Sequence, residues 1–276
     1  MRLLELRTPR AWRRARRIVV ALAAAALVLA LLVNGAIGAA LFGAALLSLV
    51  LLQSTQLHRA LLEGQRQQYA LMQIRPLFGE LPLDLSGWAA DPILVHNAVR
   101  LIVEARPRLV LECGSGSSTI AIARCLKALG GGRIVSLDHD PVYAGRTNHL
   151  IRLYSLEREA EVVTAPLLAR SMGSESGLWY SPAYEALLEQ KIDLLLVDGP
   201  PGATGPRARY PAVPLLKHHL ADECWILMDD GDRPDERAIA QAWSEELGAE
   251  LKYLEGGRGA WLLHRRQVGS VEPEHA

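Results

Sequence analysis

Cysteine is scarce in this chain of 276 residues, which holds only Cys113, Cys125 and Cys224. Three thiols without paired spacing exclude a zinc finger or ribbon and a disulfide framework, and they agree with a reducing compartment. They read as core residues. Net charge is lacking too, since 30 Lys and Arg cancel 30 Asp and Glu. Seven of those arginines (Arg2, Arg7, Arg10, Arg13, Arg14, Arg16, Arg17) stand at the start against a single Glu5, so the remainder is mildly acidic. No nucleic-acid-binding surface is expected from such a remainder. Repeats are absent, and the one biased run, Ala- and Leu-rich, has no charged side chain between residues 18 and 52.

What the chain does contain is Leu109-Val-Leu-Glu-Cys-Gly-Ser-Gly-Ser-Ser118, answered further on by Ile134-Val-Ser-Leu-Asp138. Apolar residues 109 to 111 make a short buried strand, and Gly114 and Gly116 let the backbone turn close to a ligand. Ser117, Ser118 and Thr119 open a helix near Ile120. An acid ending the second strand, Asp138, is placed for ribose hydroxyls, as in nucleotide sites of doubly wound sheets. The third glycine of a dinucleotide fingerprint is missing, and Glu112 would repel a pyrophosphate. A cationic ligand without phosphate suits the turn better.

An acid followed by a G-x-G turn, with an acid ending the next strand, resembles the class I S-adenosylmethionine-dependent methyltransferases over residues 88 to 265. The resemblance implies a methyl donor, S-adenosyl-L-methionine, held by Glu112, Gly114, Ser115, Gly116, Ser117, Asp138 and His139, with Glu112 near the methionine moiety. Two other classes remain: an NAD(P)-dependent oxidoreductase, which wants the third glycine, and a non-catalytic scaffold, which has no need of the strand-end acids.

From Asp91-Pro92, a helix start signal, helical and strand patterns alternate. Strands are expected at 108–113, 133–138, 160–164, 192–198, 224–229, 250–255 and 259–265, and helices near 118–129, 141–156, 181–190, 207–220 and 234–247. Alternation of this kind gives an α/β fold with a doubly wound, mostly parallel sheet. The short turn Gly256-Gly257-Arg258-Gly259 makes the last two strands a hairpin. One antiparallel strand in a seven-stranded sheet again resembles the methyltransferase variant of the Rossmann-like fold.

Asp198, ending the fourth of these strands, and Asp229 with Asp230, ending the fifth, gather carboxylates where ligands bind in such sheets. Hard oxygen ligands of this kind suit a divalent cation. The metal-dependent O-methyltransferases are similar here, which implies Mg2+ on Asp198, Asp229 and Asp230; the chain departs from the macrocin type at Gly199-Pro200-Pro201, where that type has a further acid. The metal-free reading pairs Asp230 with Arg209 or Arg233. Candidate bases are Asp198 and His139, with His218, His219 and His96 reading more simply as packing or surface residues. Trp179-Tyr180-Ser181-Pro182 and the loop 202–211 are candidate acceptor lids.

The uncharged run outlasts the ~20 residues that cross a bilayer core. One long tilted helix fits it, as does a hairpin of 18–33 and 36–52 turning at Asn34-Gly35; a cleaved signal peptide fits less well, since the run outruns a signal core. The hairpin is favoured, because the donor is cytosolic: an arginine-rich cytoplasmic start (1–17) and two crossings return the domain to the cytoplasmic side of the inner membrane. Residues 53–87 then form an amphipathic stalk helix and a boundary loop. The stalk offers a surface for packing on the domain or for homo-oligomers, and residues 266–276 read as a disordered tail. The expected acceptor is a small molecule, a glycan or a lipid-linked compound.

Overall fold

The structure, a computed structural model, describes residues 17–25, 28, 35–78, 90–173 and 175–266. The chain divides into two compact units, Met1–Gln65 and Arg66–Ala276. Most of the basic start, Asn34 of the expected turn, and residues 79–89 and 267–276 lie outside the described residues.

Residues 17–25 are helical, and helix α1 runs without a break over Gly35–Ile74. The second half of the apolar run and residues 53–74 belong to this one helix. Gly64, the only glycine of the stalk, stands in open surroundings where it neither bends nor packs the chain. Pro76 ends the run in a 3-10 turn, Arg75–Leu77, because its ring removes a backbone donor. α1 is long and apolar enough to cross a membrane. Within the second unit, Ala70 and Ile74 are buried with Phe78 in the domain core, and Tyr69 meets His96 edge-on at 5.9 Å. The end of the stalk thus packs on the domain.

Seven strands form one sheet: β1 (Leu109–Cys113), β2 (Arg133–Asp138), β3 (Ala160–Thr164), β6 (Ile192–Val197), β7 (Leu220–Met228), β8 (Glu250–Leu254) and β9 (Ala260–Arg266). Their order is β3-β2-β1-β6-β7-β9-β8, and β9 alone runs against its neighbours. Order reverses between β1 and β6, so a crevice opens at their carboxyl ends. Helices α2 (Pro92–Ala105), α3 (Ser117–Leu129) and α4 (Pro141–Leu153) belong to one side, and α5 (Ala212–Leu216) and α6 (Pro234–Leu247) to the other. Asp91 caps α2 through Ile93 N at 2.8 Å, and Asp140 caps α4 through Val142 N at 2.7 Å, each one satisfying a donor the helix leaves free.

Period-two alternation in β1 sends Val110 to the α3 side and Leu109, Leu111 and Cys113 to the other. Three elements differ from expectation. An antiparallel hairpin, β4 (Leu167–Met172) with β5 (Glu175–Tyr180), stands between β3 and β6. The helix expected near 181–190 is a 3-10 turn, Pro182–Leu187, and the one near 207–220 shrinks to α5. There Pro211 starts the helix late, and β7 begins at Leu220, paired with Ile192 ahead of a register shift.

Candidate functional site

At the end of β1 the chain turns through Gly114, whose φ of 96° favours glycine. Two bonds stitch this turn to its neighbours: Gly114 N donates to Leu137 O at 2.8 Å, and Asp198 N to Cys113 O at 2.9 Å. A Cβ on Gly116 would meet nothing within 4 Å, so the turn borders open space. Ser117, in the first turn of α3, has a buried hydroxyl without a hydrogen-bond partner among the described residues. Asp138, buried at the end of β2, accepts from Ser115 Oγ at 2.6 Å, from Ser115 N at 3.2 Å and from Asp140 N at 3.0 Å. His139 stands beside it, Nδ1 3.7 Å from Asp138 Oδ1. Open space at the turn, an orphan hydroxyl and an acid holding a displaceable serine together fit a nucleoside with a ribose diol.

Glu112 is placed differently from expectation. Alternation in β1 puts it on the face of Val110, under α3, where it is fully buried. Its carboxylate accepts from Ser118 Oγ at 2.5 Å, Thr119 Oγ1 at 2.5 Å and Ser136 Oγ at 2.6 Å. Burial pushes its pKa up to about 7 against the pull of these three hydroxyls. Glu112 anchors the first turn of α3, and so fixes where the glycine turn points.

The acids that follow β6 and β7 come together. Asp198, Asp229 and Asp230 each offer an oxygen, all within 4.8 Å of one another. Three arginines hold them: Arg209 and Arg233, the partners that the metal-free reading gives to Asp230, and Arg258, which the spacing of acids did not reveal. Arg209, only 3% exposed, donates to Asp230 Oδ2 at 2.6 Å, Asp229 O at 2.8 Å and Asp198 O at 3.2 Å, and lies 3.3 Å from Asp198 Oδ1. Arg258, from the turn between β8 and β9, reaches Asp229 Oδ2 at 2.6 Å and Asp230 Oδ1 at 3.4 Å. Arg233 lies 2.9 Å from Asp230 Oδ2 and 3.6 Å from Glu236. The donor chemistry is that of a hard cation, but guanidiniums already stand on all three carboxylates, so a divalent ion does not fit this arrangement as built.

Asp198 differs from its two neighbours. Its side chain is 21% exposed, and it opens into a cavity of about 540 Å³ lined also by Arg209, Asp230, Arg233, Glu236 and Arg258. Burial, and then the Asp229 charge, push its carboxyl well above the usual range, against Arg209 and Arg258.

The remaining candidates part company with this site. His218 and His219 sit at the amino edge of the sheet, where Ile192 N donates to His219 O at 2.8 Å. His96 packs on Tyr69, and burial, then Arg100, lower its pKa. Trp179 and Tyr180 are core residues and form no lid, and Arg207 stacks on the Tyr210 ring at 4.0 Å. Tyr180, carried by the unforeseen hairpin, does reach the strand ends: its buried hydroxyl has no hydrogen-bond partner among the described residues and abuts Gly199.

Residues 111–231 match a family model described as a methyltransferase domain. Among solved structures, a Staphylococcus aureus protein assigned by name alone as a caffeoyl-CoA O-methyltransferase is 12% identical over 76% of this chain and 99% of that one, TM-score 0.51. An SAH-bound methyltransferase from Podospora anserina is 15% identical over 71% and 88%, TM-score 0.49, and an O-methyltransferase from Bacillus cereus in complex with SAH is 16% identical over 73% and 91%, TM-score 0.46. No curated protein matches the sequence. Over residues 111–231, family match and sheet order agree on a methyltransferase domain of class I, the S-adenosylmethionine-dependent kind.

Proposed function

We propose that this enzyme methylates an oxygen atom of a small-molecule, glycan or lipid-linked acceptor at the cytoplasmic face of the inner membrane. The observation that carries the reading is the position of Asp198. Its backbone is bound to the glycine turn through Cys113 O at 2.9 Å, while its carboxylate faces the cavity of about 540 Å³. One residue therefore touches both the donor turn and the acceptor space, as in-line transfer demands.

When bound, S-adenosylmethionine supplies an electrophilic methyl group on a sulfonium. Asp138 would take the ribose hydroxyls, exchanging Ser115 Oγ for them. Backbone from Gly114 to Ser117 would line the donor, with His139 at its edge. Asp198 would accept the acceptor's hydroxyl proton while the oxygen–methyl bond forms and the carbon–sulfur bond breaks, leaving the thioether as product. Arg209 keeps Asp198 in place. Mg2+ has no part in these steps, because its expected ligands are already paired.

The membrane reading is supported by α1, by the helical stretch 17–25 before it, and by the arginines that precede both. A helical hairpin over 18–52 puts the domain, 88–265, in the cytoplasm with its donor. The exposed Leu57, Leu61 and Leu62 of the stalk offer a surface for a homo-oligomer.

Calorimetry of the full chain in detergent with S-adenosylhomocysteine and with NAD tests the core of the proposal. Binding of the first alone is expected; NAD binding without it would replace the methyltransferase by an oxidoreductase. Methyl transfer from labelled donor to lipid and glycan extracts, lost in Asp198→Asn, tests the acceptor class. A carboxyl-terminal reporter active only outside the cytoplasm would overturn the topology.

A further inference from the structure

We propose that Arg258 is the resident cation of the strand-end carboxylates, its guanidinium standing where a divalent metal would otherwise bridge Asp198, Asp229 and Asp230, so that this chain works without a metal. Charge argues for it. Arg209, Arg233 and Arg258 face Asp198, Asp229, Asp230 and Glu236, so three guanidiniums already offset most of the charge of the four carboxyl groups. A divalent ion added to it would press against three guanidiniums at close range.

Geometry argues for it as well. Mg2+ needs oxygens at about 2.0–2.1 Å in a near-octahedral shell. Asp229 Oδ2 is instead engaged by Arg258 Nη2 at 2.6 Å, and both oxygens of Asp230 face guanidiniums, Oδ1 that of Arg258 at 3.4 Å and Oδ2 that of Arg209 at 2.6 Å. No pair of cluster oxygens is left on Asp230 for an ion.

The presentation of Arg258 is built into the backbone. It sits in a turn with Gly256, Gly257 and Gly259, all at positive φ. A Cβ on Gly257 would strike the Asp91 carboxylate, and one on Gly259 the Tyr253 ring. The turn is then tied to the loop carrying the acids: Gly231 N donates to Gly259 O at 2.7 Å and Asp232 N to Arg258 O at 3.0 Å. Gly231 permits that approach, since a Cβ there would lie 2.9 Å from Ala260 N. Trp261 Nε1, donating to Gly231 O at 3.0 Å, locks the other side. A side chain this firmly delivered holds Asp229 in one geometry, as an ion would, while no chelator can remove it.

The proposal takes its meaning from the methyl-transfer reading of the same site, but it is tested without donor or acceptor, so that either can fail alone. The full chain in detergent is titrated with Mn2+, and free Mn2+ is read by electron paramagnetic resonance. The wild type is expected to bind no Mn2+ saturably. Arg258→Met, with thermal unfolding as a check on folding, is expected to gain one-to-one binding that Asp229→Asn in the same chain abolishes. Saturable binding by the wild type, lost in Asp229→Asn, would overturn the proposal. So would a folded Arg258→Met without any gain. Should that variant not fold, Arg258→Gln is read in the same way, and the wild-type titration decides by itself.

Discussion

The Tyr180 hydroxyl fills the space that a Cβ on Gly199 would need, which couples the β4–β5 hairpin to the loop after Asp198. Gly199→Ala is expected to cost about 1–3 kcal/mol, because overpacking at a buried contact forces the chain to move. Tyr180→Phe removes a hydroxyl that has no partner, so alone it should be near neutral. The double variant should recover about 1 kcal/mol or more over the sum. Denaturant unfolding of all four proteins measures this; strict additivity would mean that the two residues do not press on each other.

Asp198→Asn is expected to lower kcat by about 100- to 10,000-fold through loss of the base. Binding of S-adenosylhomocysteine should stay within about twofold, since the backbone N–H that reaches Cys113 O is kept. The base acts deprotonated, and its pKa lies well above the usual carboxylate range. The wild-type rate should therefore climb with pH through that titration, and Asp229→Asn, which removes the neighbouring charge, should move the climb to lower pH.

Ser115 and Asp138 should behave in opposite ways. Asp138→Asn is expected to weaken S-adenosylhomocysteine binding by about 10- to 100-fold, the loss of charge-assisted bonds to the ribose. Ser115→Ala removes only a competitor for the Asp138 oxygen, so affinity should hold or rise. Calorimetry on both variants decides, and equal losses would mean that Ser115 is itself a donor ligand.

Glu112 makes folding pH-dependent. Its pKa rises from 4.5 to about 7 in the folded chain, so the folded state holds the proton more tightly. The associated stabilisation is complete below the unfolded pKa and is lost as pH rises through the folded one, by on the order of 3 kcal/mol. Glu112→Gln should flatten that decline. Unfolding midpoints at pH 5 and pH 8 compare the two, and parallel pH dependence would remove Glu112 as its source.

The sheet was legible because each parallel strand is a short apolar run between a cap and a turn; Leu109–Cys113 and Ile192–Val197 needed only that pattern. The β4–β5 hairpin was not, since its strands are half exposed and alternate weakly between apolar and polar residues. Strand-end acids could be read from position alone. Arg209 and Arg233 could be offered to Asp230 in the same way, but Arg258 could not, because it comes from a turn 29 residues beyond Asp229 and only the folded chain brings it there. Parity within β1, by contrast, is enough to send Glu112 under α3 with Val110, away from the donor side.

The turn that carries Arg258 lies near the end of the chain, and this sets an order of events during synthesis. Donor-side elements β1, β2 and β6 are complete once residue 197 has been made. Asp229 still waits for residue 258 before its counter-charge exists. A chain stopped before the last hairpin would hold Arg209 and Arg233 for Asp230 but no guanidinium for the Asp229 carboxylate, so the enzyme comes of age only with its final strand.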